Sequence, residues 1–173
     1  VDIHVHGGGD SDFMDEDASA FPTIAKAHCA HGTTALCPTT MTCADSLLEK
    51  TIDLFLEADK EPENGAELLG LHLEGPYFSA ASKGAQPIGE QRIPEREDLE
   101  RILRRAKGSI LRWDAAPELP NMELFAKVMA ENGVLASLAH SAATAPEALR
   151  AFDWGFSHVT HFYNACTTFH KKN

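Results

Sequence analysis

The sequence has no apolar run of the roughly 18 residues that a membrane span needs, no closely spaced cysteine pair and few basic residues. Its four scattered cysteines predict free thiols in a reducing cytoplasm rather than a disulfide framework. With 15 basic and 26 acidic residues the net charge is −11, which argues against nucleic acid or an anionic membrane as a partner. A small anionic ligand stays possible, because a few local donors are enough to bind it.

The chain also lacks a dinucleotide-binding glycine fingerprint and a phosphate-binding P-loop, which argues against a nucleotide-binding doubly wound sheet. What it has instead is a regular alternation of short apolar strands with amphipathic helices, which predicts an α/β fold with a parallel sheet. The predicted strands are residues 1–6, 33–37, 68–74, 109–115, 134–139 and 157–161. The predicted helices are residues 18–31, 45–56, 96–107, 121–132 and 146–152.

The third predicted strand organises the rest of the chain. Its apolar residues from Leu68 to Leu73 indicate burial on both faces, and we expect Gly75 and Pro76 to end it. Glu74 would then be a carboxylate at the carboxyl end of a buried strand, where α/β proteins keep their chemistry. A buried carboxylate is costly unless a cation or hydrogen-bond donors compensate its charge.

Histidines lie in or next to three other predicted strands. His4 and His6 are two residues apart in the first strand and therefore share a face. His140 and His161 come at the ends of the fifth and sixth strands. Imidazole and carboxylate donors suit zinc, iron or a similar divalent ion, so we predict a site for one or two ions, with Glu74 bridging two.

Other histidines and the one strand-end aspartate are weaker candidates. We expect His72 to pack beneath the site, and His28 and His31 to be surface or packing residues of the first helix. Hydrolysis at such a centre also needs a carboxylate that transfers protons, and the one aspartate at a strand end is Asp114.

Polar residues gathered from several strand ends are typical of the upper face of a (β/α)8 TIM-type barrel of the metal-dependent hydrolase kind. About six of its eight units are present. Residues 1–173 are therefore predicted to form one partial catalytic barrel domain, as a fragment of a longer protein.

Six short blocks occur in an order that resembles the N-acetylglucosamine-6-phosphate deacetylases of the amidohydrolase superfamily. The blocks are residues 4–9, 72–76, 83–85 and 116–118, then 140–141 with 144, and 160–161 with 164–165. The resemblance implies removal of the acetyl group from N-acetylglucosamine 6-phosphate, an amino-sugar phosphate, and a homodimer in the full-length protein. It further implies that Glu74, His140 and His161 hold the main metal and that His4 and His6 hold a second one.

The same resemblance implies substrate contacts from four residues. These are Ala85, Gln86, Asn164 and Ala165. Many relatives have histidine where this chain has Gln86, so that sugar contact is expected to differ. Lys171 and Lys172 fall near the phosphate-contacting region of the family, although a solvated tail explains them equally well.

The largest departure from the family concerns the catalytic aspartate. The family carries it in a Thr-Asp-Ala motif near the eighth strand, and no such motif occurs here, so the acid/base is expected beyond Asn173. The small β-domain of the family is missing too, and we expect the isolated chain to be inactive. Two alternatives stay open, namely a dihydroorotase-like cyclic amidase and a non-catalytic module that binds metal or sugar phosphate.

Overall fold

The structure is a computed structural model that describes residues 1–87 and 89–167, and Lys171 and Lys172 lie outside these residues. The strands are β1 (Asp2–Val5), β2 (Gly7–Gly8), β3 (Ser11–Asp12), β4 (Ala35–Pro38), β5 (Glu67–Leu68), β6 (Leu71–Tyr77), β7 (Ile110–Ala115), β8 (Leu135–Leu138) and β9 (His158–Val159). The helices are α1 (Ala20–Cys29), α2 (Asp45–Glu57), α3 (Arg96–Ala106), α4 (Met122–Glu131) and α5 (Ala145–Trp154), with a 3-10 turn at Ala80–Ser82.

The strands pair in parallel and in chain order, as β1–β4–β5 and as β6–β7–β8–β9. A parallel bridge between Thr39 and His72 connects the two sets, so that β5 and β6 occupy successive parts of one strand position. Neighbouring strands are joined through helices, and α2, α3, α4 and α5 pack in sequence against one another. The α/β class with parallel strands is thereby confirmed.

The two faces of the sheet differ in chemistry. On one face of β6 to β8, buried apolar side chains such as Leu73, Trp113 and Ala136 belong to the hydrophobic core. The register places Glu74 beside Asp114, and Asp114 beside Ser137, on the opposite face. All three polar residues are buried there, so the sheet encloses a polar interior.

Strand β6 differs from the prediction that Gly75 and Pro76 would end it. The strand continues to Tyr77, with an irregular register after Glu74. Irregular positions tolerate a proline inside a strand, because they do not require its missing N–H. The indole N–H of Trp113 donates to the carbonyl oxygen of Gly75 at 2.8 Å and fixes the irregular segment to β7.

Two local features lie next to the predicted histidines. Gly7–Gly8 pairs with Ser11–Asp12 in an antiparallel hairpin that the sequence did not predict. Beyond His140, helix α5 begins with a capping box between Thr144 and Glu147, which fixes the backbone there. Among the described helices, none is both long and apolar enough to cross a bilayer.

Candidate metal centre

The fold brings Glu74, His140 and His161 together from three strands. Glu74 lies within β6, whereas His140 and His161 each follow a strand, β8 and β9, by two residues. Parallel strands present these positions at one end of the sheet. His140 and His161 are 66 and 87 positions from Glu74 in the sequence, yet their side chains contact it.

Three side-chain atoms form a nearly equilateral triangle. Oε1 of Glu74 lies 3.1 Å from Nε2 of His140 and 3.1 Å from Nε2 of His161, and the two Nε2 atoms are 3.0 Å apart. Ligands at about 2.0–2.1 Å from a tetrahedral ion are about 3.3–3.4 Å from one another. The triangle is therefore close to the size that one ion requires.

The outer nitrogens of these two imidazoles are already used. Nδ1 of His140 lies 3.0 Å from the carbonyl oxygen of Ser82, and Nδ1 of His161 lies 2.8 Å from that of Asn164. A carbonyl can only accept, so each Nδ1 carries the proton in a neutral ring and each Nε2 presents a lone pair. Two lone pairs and a carboxylate oxygen thus face one point, which is the arrangement that a cation stabilises.

His4 and His6 form a second group on the other side of Glu74. Their Nε2 atoms are 3.1 Å apart, and Nε2 of His6 lies 3.2 Å from Oε2 of Glu74. Nε2 of His4 is 3.7 Å from Oε1 of the same carboxylate. Glu74 thus faces both histidine pairs with its two oxygens, and each pair with Glu74 makes a set of atoms compact enough for an ion.

The electrostatics around Glu74 favour positive charge. Burial opposes ionisation of Glu74, but contacts with His140, His161 and His6 outweigh it and hold the pKa of this carboxyl far below its usual value. The contact with Glu74 raises the pKa of His161, and it also raises the pKa of His6 against the effect of burial. Burial lowers the pKa of His4 to about 4.

The residue Gln86 lies within this centre, not at its surface. Its side-chain N–H donates to Oε2 of Glu74 at 3.0 Å, and its side-chain oxygen accepts from the backbone N–H of Thr42 at 2.8 Å. Only 2% of Gln86 is exposed. The side chain therefore fixes the orientation of the Glu74 carboxylate.

The loop that carries Gln86 runs close to the predicted metal ligand His140. The backbone N–H of Ser79 donates to the carbonyl oxygen of His140, and the carbonyl of Ser82 accepts from its ring. At Gly84, where φ is +56°, an added Cβ would come within 3.2 Å of the His140 ring. This close approach, together with the left-handed backbone, explains why glycine occupies the position.

The other three predicted substrate residues surround the same centre. Ala85 and Asn164 are exposed, and Ala165 is half-buried. An added Cβ on Gly84, the neighbour of Ala85, would lie 3.3 Å from the methyl group of Ala165, so the two loops meet beside the histidines. His161 itself is half-buried, whereas Glu74 and His140 are buried.

Asp114 is buried, whereas a group that transfers protons must be able to reach the substrate. It is fully buried, its Oδ1 accepts from the hydroxyl of Thr160 at 2.9 Å, and its Oδ2 lies 2.8 Å from Nε2 of His72. Asp114, Thr160, His72 and Arg112 form a layer of buried polar residues. Within it, Arg112 donates to the carbonyl oxygen of Ile3 at 3.0 Å. Neither group of potential ligands contains Asp114 or any other aspartate within residues 1–87 and 89–167. The layer supports the centre from beneath.

The backbone is strained where the imidazoles are held. His140 and His161 have φ values of 46° and 34°, and Tyr163 and Ala165 also lie at positive φ. Such conformations cost about 1–3 kcal/mol each and cluster at functional sites. Neither this strain nor the carbonyl partners of the two rings leaves a trace in the residue types, which is why the sequence did not reveal them.

The sequence was compared with protein-family models, and no family model matches it. Among curated proteins it is 32% identical over 180 residues to the N-acetylglucosamine-6-phosphate deacetylase of Lysinibacillus sphaericus, covering 100% of this chain and 45% of that protein. It is 30% identical to the N-acetylgalactosamine-6-phosphate deacetylase of Escherichia coli O157:H7, covering 99% of this chain and 46% of that protein.

The fold of the chain is similar to that of a solved structure. The fold superposes with a TM-score of 0.91 on a mutant N-acetyl-D-glucosamine-6-phosphate deacetylase from Mycobacterium smegmatis, in complex with N-acetyl-D-glucosamine-6-phosphate. The match has 27% sequence identity and covers 99% of this chain and 44% of that one. The chain thus spans less than half the length of the proteins that it matches.

Proposed function

Because the chain is homologous along its whole length to N-acetylglucosamine-6-phosphate deacetylases, we propose that it is part of a longer enzyme that hydrolyses an N-acetylated amino-sugar phosphate. The products are acetate and, for N-acetylglucosamine 6-phosphate, glucosamine 6-phosphate. The observation that carries the proposal is the convergence of Glu74, His140 and His161 on one point.

In this proposal Glu74, His140 and His161 hold a divalent ion, and His4 and His6 hold a second one with Glu74 as the bridge. The donor atoms are nitrogen and oxygen, which suits zinc or iron. When bound, such an ion polarises the amide carbonyl and activates water for attack on it. The side chain of Gln86 keeps the Glu74 carboxylate turned toward both histidine pairs.

Residues 1–173 are proposed to form a single partial catalytic domain, with about six of the eight units of a (β/α)8 barrel. Three observations support it. The strands follow one another in chain order. Arg112 on β7 donates to the carbonyl of Ile3 on β1, and the ring of His4 on the first strand is 5.8 Å from that of His161, which follows the last described strand.

The acid/base is proposed to lie on the part of the enzyme beyond Asn173. The burial of Asp114 and its contacts with Thr160 and His72 support this, because a proton carrier must reach the substrate. The 173-residue chain alone is accordingly proposed to be inactive.

Substrate contacts are proposed for Ala85, Asn164 and Ala165, which lie on the two loops that meet beside His140 and His161. Gln86 is kept as a candidate contact, but its side chain is buried against Glu74 and Thr42. Of the two sugar epimers, the gluco form is favoured by the greater number of relatives that carry its name. The relative named for N-acetylgalactosamine 6-phosphate is about as similar, so both belong in the test.

Two other functions are less well supported. A dihydroorotase-like cyclic amidase commonly uses a modified lysine between its ions, whereas the carboxylate between the histidine pairs here is Glu74. A complete non-catalytic module does not account for a length below half that of the matching proteins. A homodimer of the longer protein and a cytoplasmic location complete the proposal, with the four unpaired cysteines in keeping with that location.

The test uses the longer protein with a small panel of substrates. Acetate release is measured from N-acetylglucosamine 6-phosphate, N-acetylgalactosamine 6-phosphate and unphosphorylated N-acetylglucosamine. We expect the highest kcat/KM for the first, and no release by Glu74→Ala or by the 173-residue chain alone. Release of acetate by the chain alone would overturn the proposed position of the acid/base, and absence of release by the longer protein would overturn the function.

A further inference from the structure

A second carboxylate, Glu118, holds the segment that follows His140. Its Oε2 accepts from the hydroxyl of Ser141 at 2.7 Å, and its Oε1 accepts from the backbone N–H of Ala142 at 2.6 Å. Bonds to a carboxylate are stronger than those between neutral groups. Glu118 is in neither group of potential metal ligands, and both of its oxygens are engaged.

Ser141 also connects this segment to the one that carries His161. Its backbone N–H donates to the carbonyl of Ala165 at 3.0 Å, and its carbonyl accepts from the N–H of Thr167 at 3.1 Å. A parallel bridge joins Ser141 to Cys166. Through Ser141, therefore, Glu118 is connected to the segments of both imidazoles that face Oε1 of Glu74.

These segments need such support, because their backbone is strained. His140, His161 and Ala165 all adopt left-handed backbone conformations, which are unfavourable for residues other than glycine. Strained positions persist only where surrounding contacts over-determine them. Contacts of Ser141 and Ala142, immediately after His140, are placed to provide this.

We propose that Glu118 is a positioning residue, which holds the strained segments after β8 and β9 so that His140 and His161 present their lone pairs to one ion. The inference rests on the proposed function, since it assigns Glu118 to the same metal centre. It gives a role to the third residue of the Ala116–Glu118 block, which the metal and substrate contacts leave without one.

The experiment titrates the metal-free 173-residue chain with Co²⁺ and records the visible absorption of the bound ion. Glu118→Ala is compared with Glu118→Gln and with Glu123→Ala, a control that removes an exposed acidic residue at the start of α4. Loss of an outer partner typically weakens metal binding about 10- to 100-fold. We expect Glu118→Ala to weaken the first Co²⁺ at least tenfold and to alter its spectrum, and Glu123→Ala to change neither.

The glutamine variant separates positioning from general stability. An amide oxygen still accepts from the Ala142 N–H, so Glu118→Gln should recover most of the affinity. A role in overall stability alone would lower the unfolding temperature of Glu118→Ala while its folded form bound Co²⁺ as tightly as the parent. That result, or an unchanged spectrum, overturns the proposal.

A second measurement decides the matter without metal. Amide hydrogen exchange of Ser141, Ala142 and Thr167 is followed by NMR in the metal-free parent and in Glu118→Ala. Faster exchange at these three positions, with the helix α4 unchanged, supports the proposal, and unchanged exchange overturns it. If the parent binds no Co²⁺, the metal centre of the proposed function fails, while the exchange data still decide whether Glu118 holds the segment.

Discussion

The two histidine pairs around Glu74 have the same residue types but differ in how firmly they are held. The side chains of His140 and His161 are 6% and 23% exposed, against 26% and 33% for His4 and His6. Both rings of the first pair donate their outer N–H to a carbonyl at 3.0 and 2.8 Å. In the second pair, His6 reaches the carbonyl of Thr39 at 3.2 Å, and Nδ1 of His4 has no partner among the residues that the structure describes.

The origin of the difference is structural. His4 and His6 are placed by the alternation of a regular strand end, which costs little and fixes little. His140 and His161 follow strands in left-handed conformations that surrounding contacts maintain. Anchored imidazoles bind metals more tightly, because their orientation and tautomer are set in advance. We therefore expect one tight site and one weak site.

The largest effect should come from Glu74→Ala, because both sites share this carboxylate. Metal content is measured by elemental analysis after gel filtration, and we expect no stoichiometric metal. Glu67→Ala, which removes an exposed carboxylate from β5, is the control and should keep the content of the parent. Unchanged metal in Glu74→Ala would refute the shared carboxylate.

Removal of the metal should lower the free energy of unfolding of the chain. A ligand that binds only the folded chain, at a free concentration about 1,000 times its Kd, raises the free energy of unfolding by about 4 kcal/mol. Chelation of the metal-loaded chain should therefore lower its Tm, measured by circular dichroism. Chelation should not shift the Tm of the Glu74→Ala variant. An equal shift in that variant would mean that the metal binds outside this centre.

Removing one histidine from each pair distinguishes the two sites. His140→Ala removes a ligand from the tight site. Loss of an outer partner lowers metal affinity roughly 10- to 100-fold, and His140→Ala should lower the affinity for the first equivalent of Co²⁺ by more than that. His6→Ala should leave the first equivalent in place and remove only the second. Titration followed by visible absorption gives both constants. Equal losses in the two variants would show that the pairs are equivalent.

A smaller effect is expected from Gln86, which is buried and orients the carboxylate of Glu74. Gln86→Leu should weaken the first Co²⁺ about tenfold, in the lower part of the range for outer partners. The control is Gln91→Leu, in the same loop, where the side chain hydrogen-bonds to the backbone of Pro87 and Gly89. In the longer enzyme, a rise in KM with metal binding unchanged would instead make Gln86 a sugar contact.

Much of this arrangement was predictable from residue types and spacing. Apolar strands alternating with helices predicted the parallel sheet, and the polar residues after those strands predicted that Glu74, His140 and His161 would meet. Each of these inferences needs only the periodicity of side chains and the rule that parallel strands end on one side. The contacts between the three side chains bear this prediction out.

The rest depends on backbone geometry that residue types do not encode. The continuation of β6 through Pro76 depends on an irregular register and on the hydrogen bond from Trp113. Gln86 was expected to contact the sugar, and nothing local in the sequence shows that its side chain turns inward to Glu74. The carbonyl partners of the imidazoles could come from any residue, so the sequence cannot identify them.

The central claim is that one ion is held by two imidazoles and one carboxylate at the tight site. The most direct measurement is X-ray absorption of the chain loaded with one equivalent of Zn²⁺. We expect a shell of nitrogen and oxygen at about 2.0–2.1 Å with the outer scattering of two imidazoles and no sulfur. A sulfur contribution at about 2.3 Å from any of the cysteines, or a shell without imidazole, would contradict it.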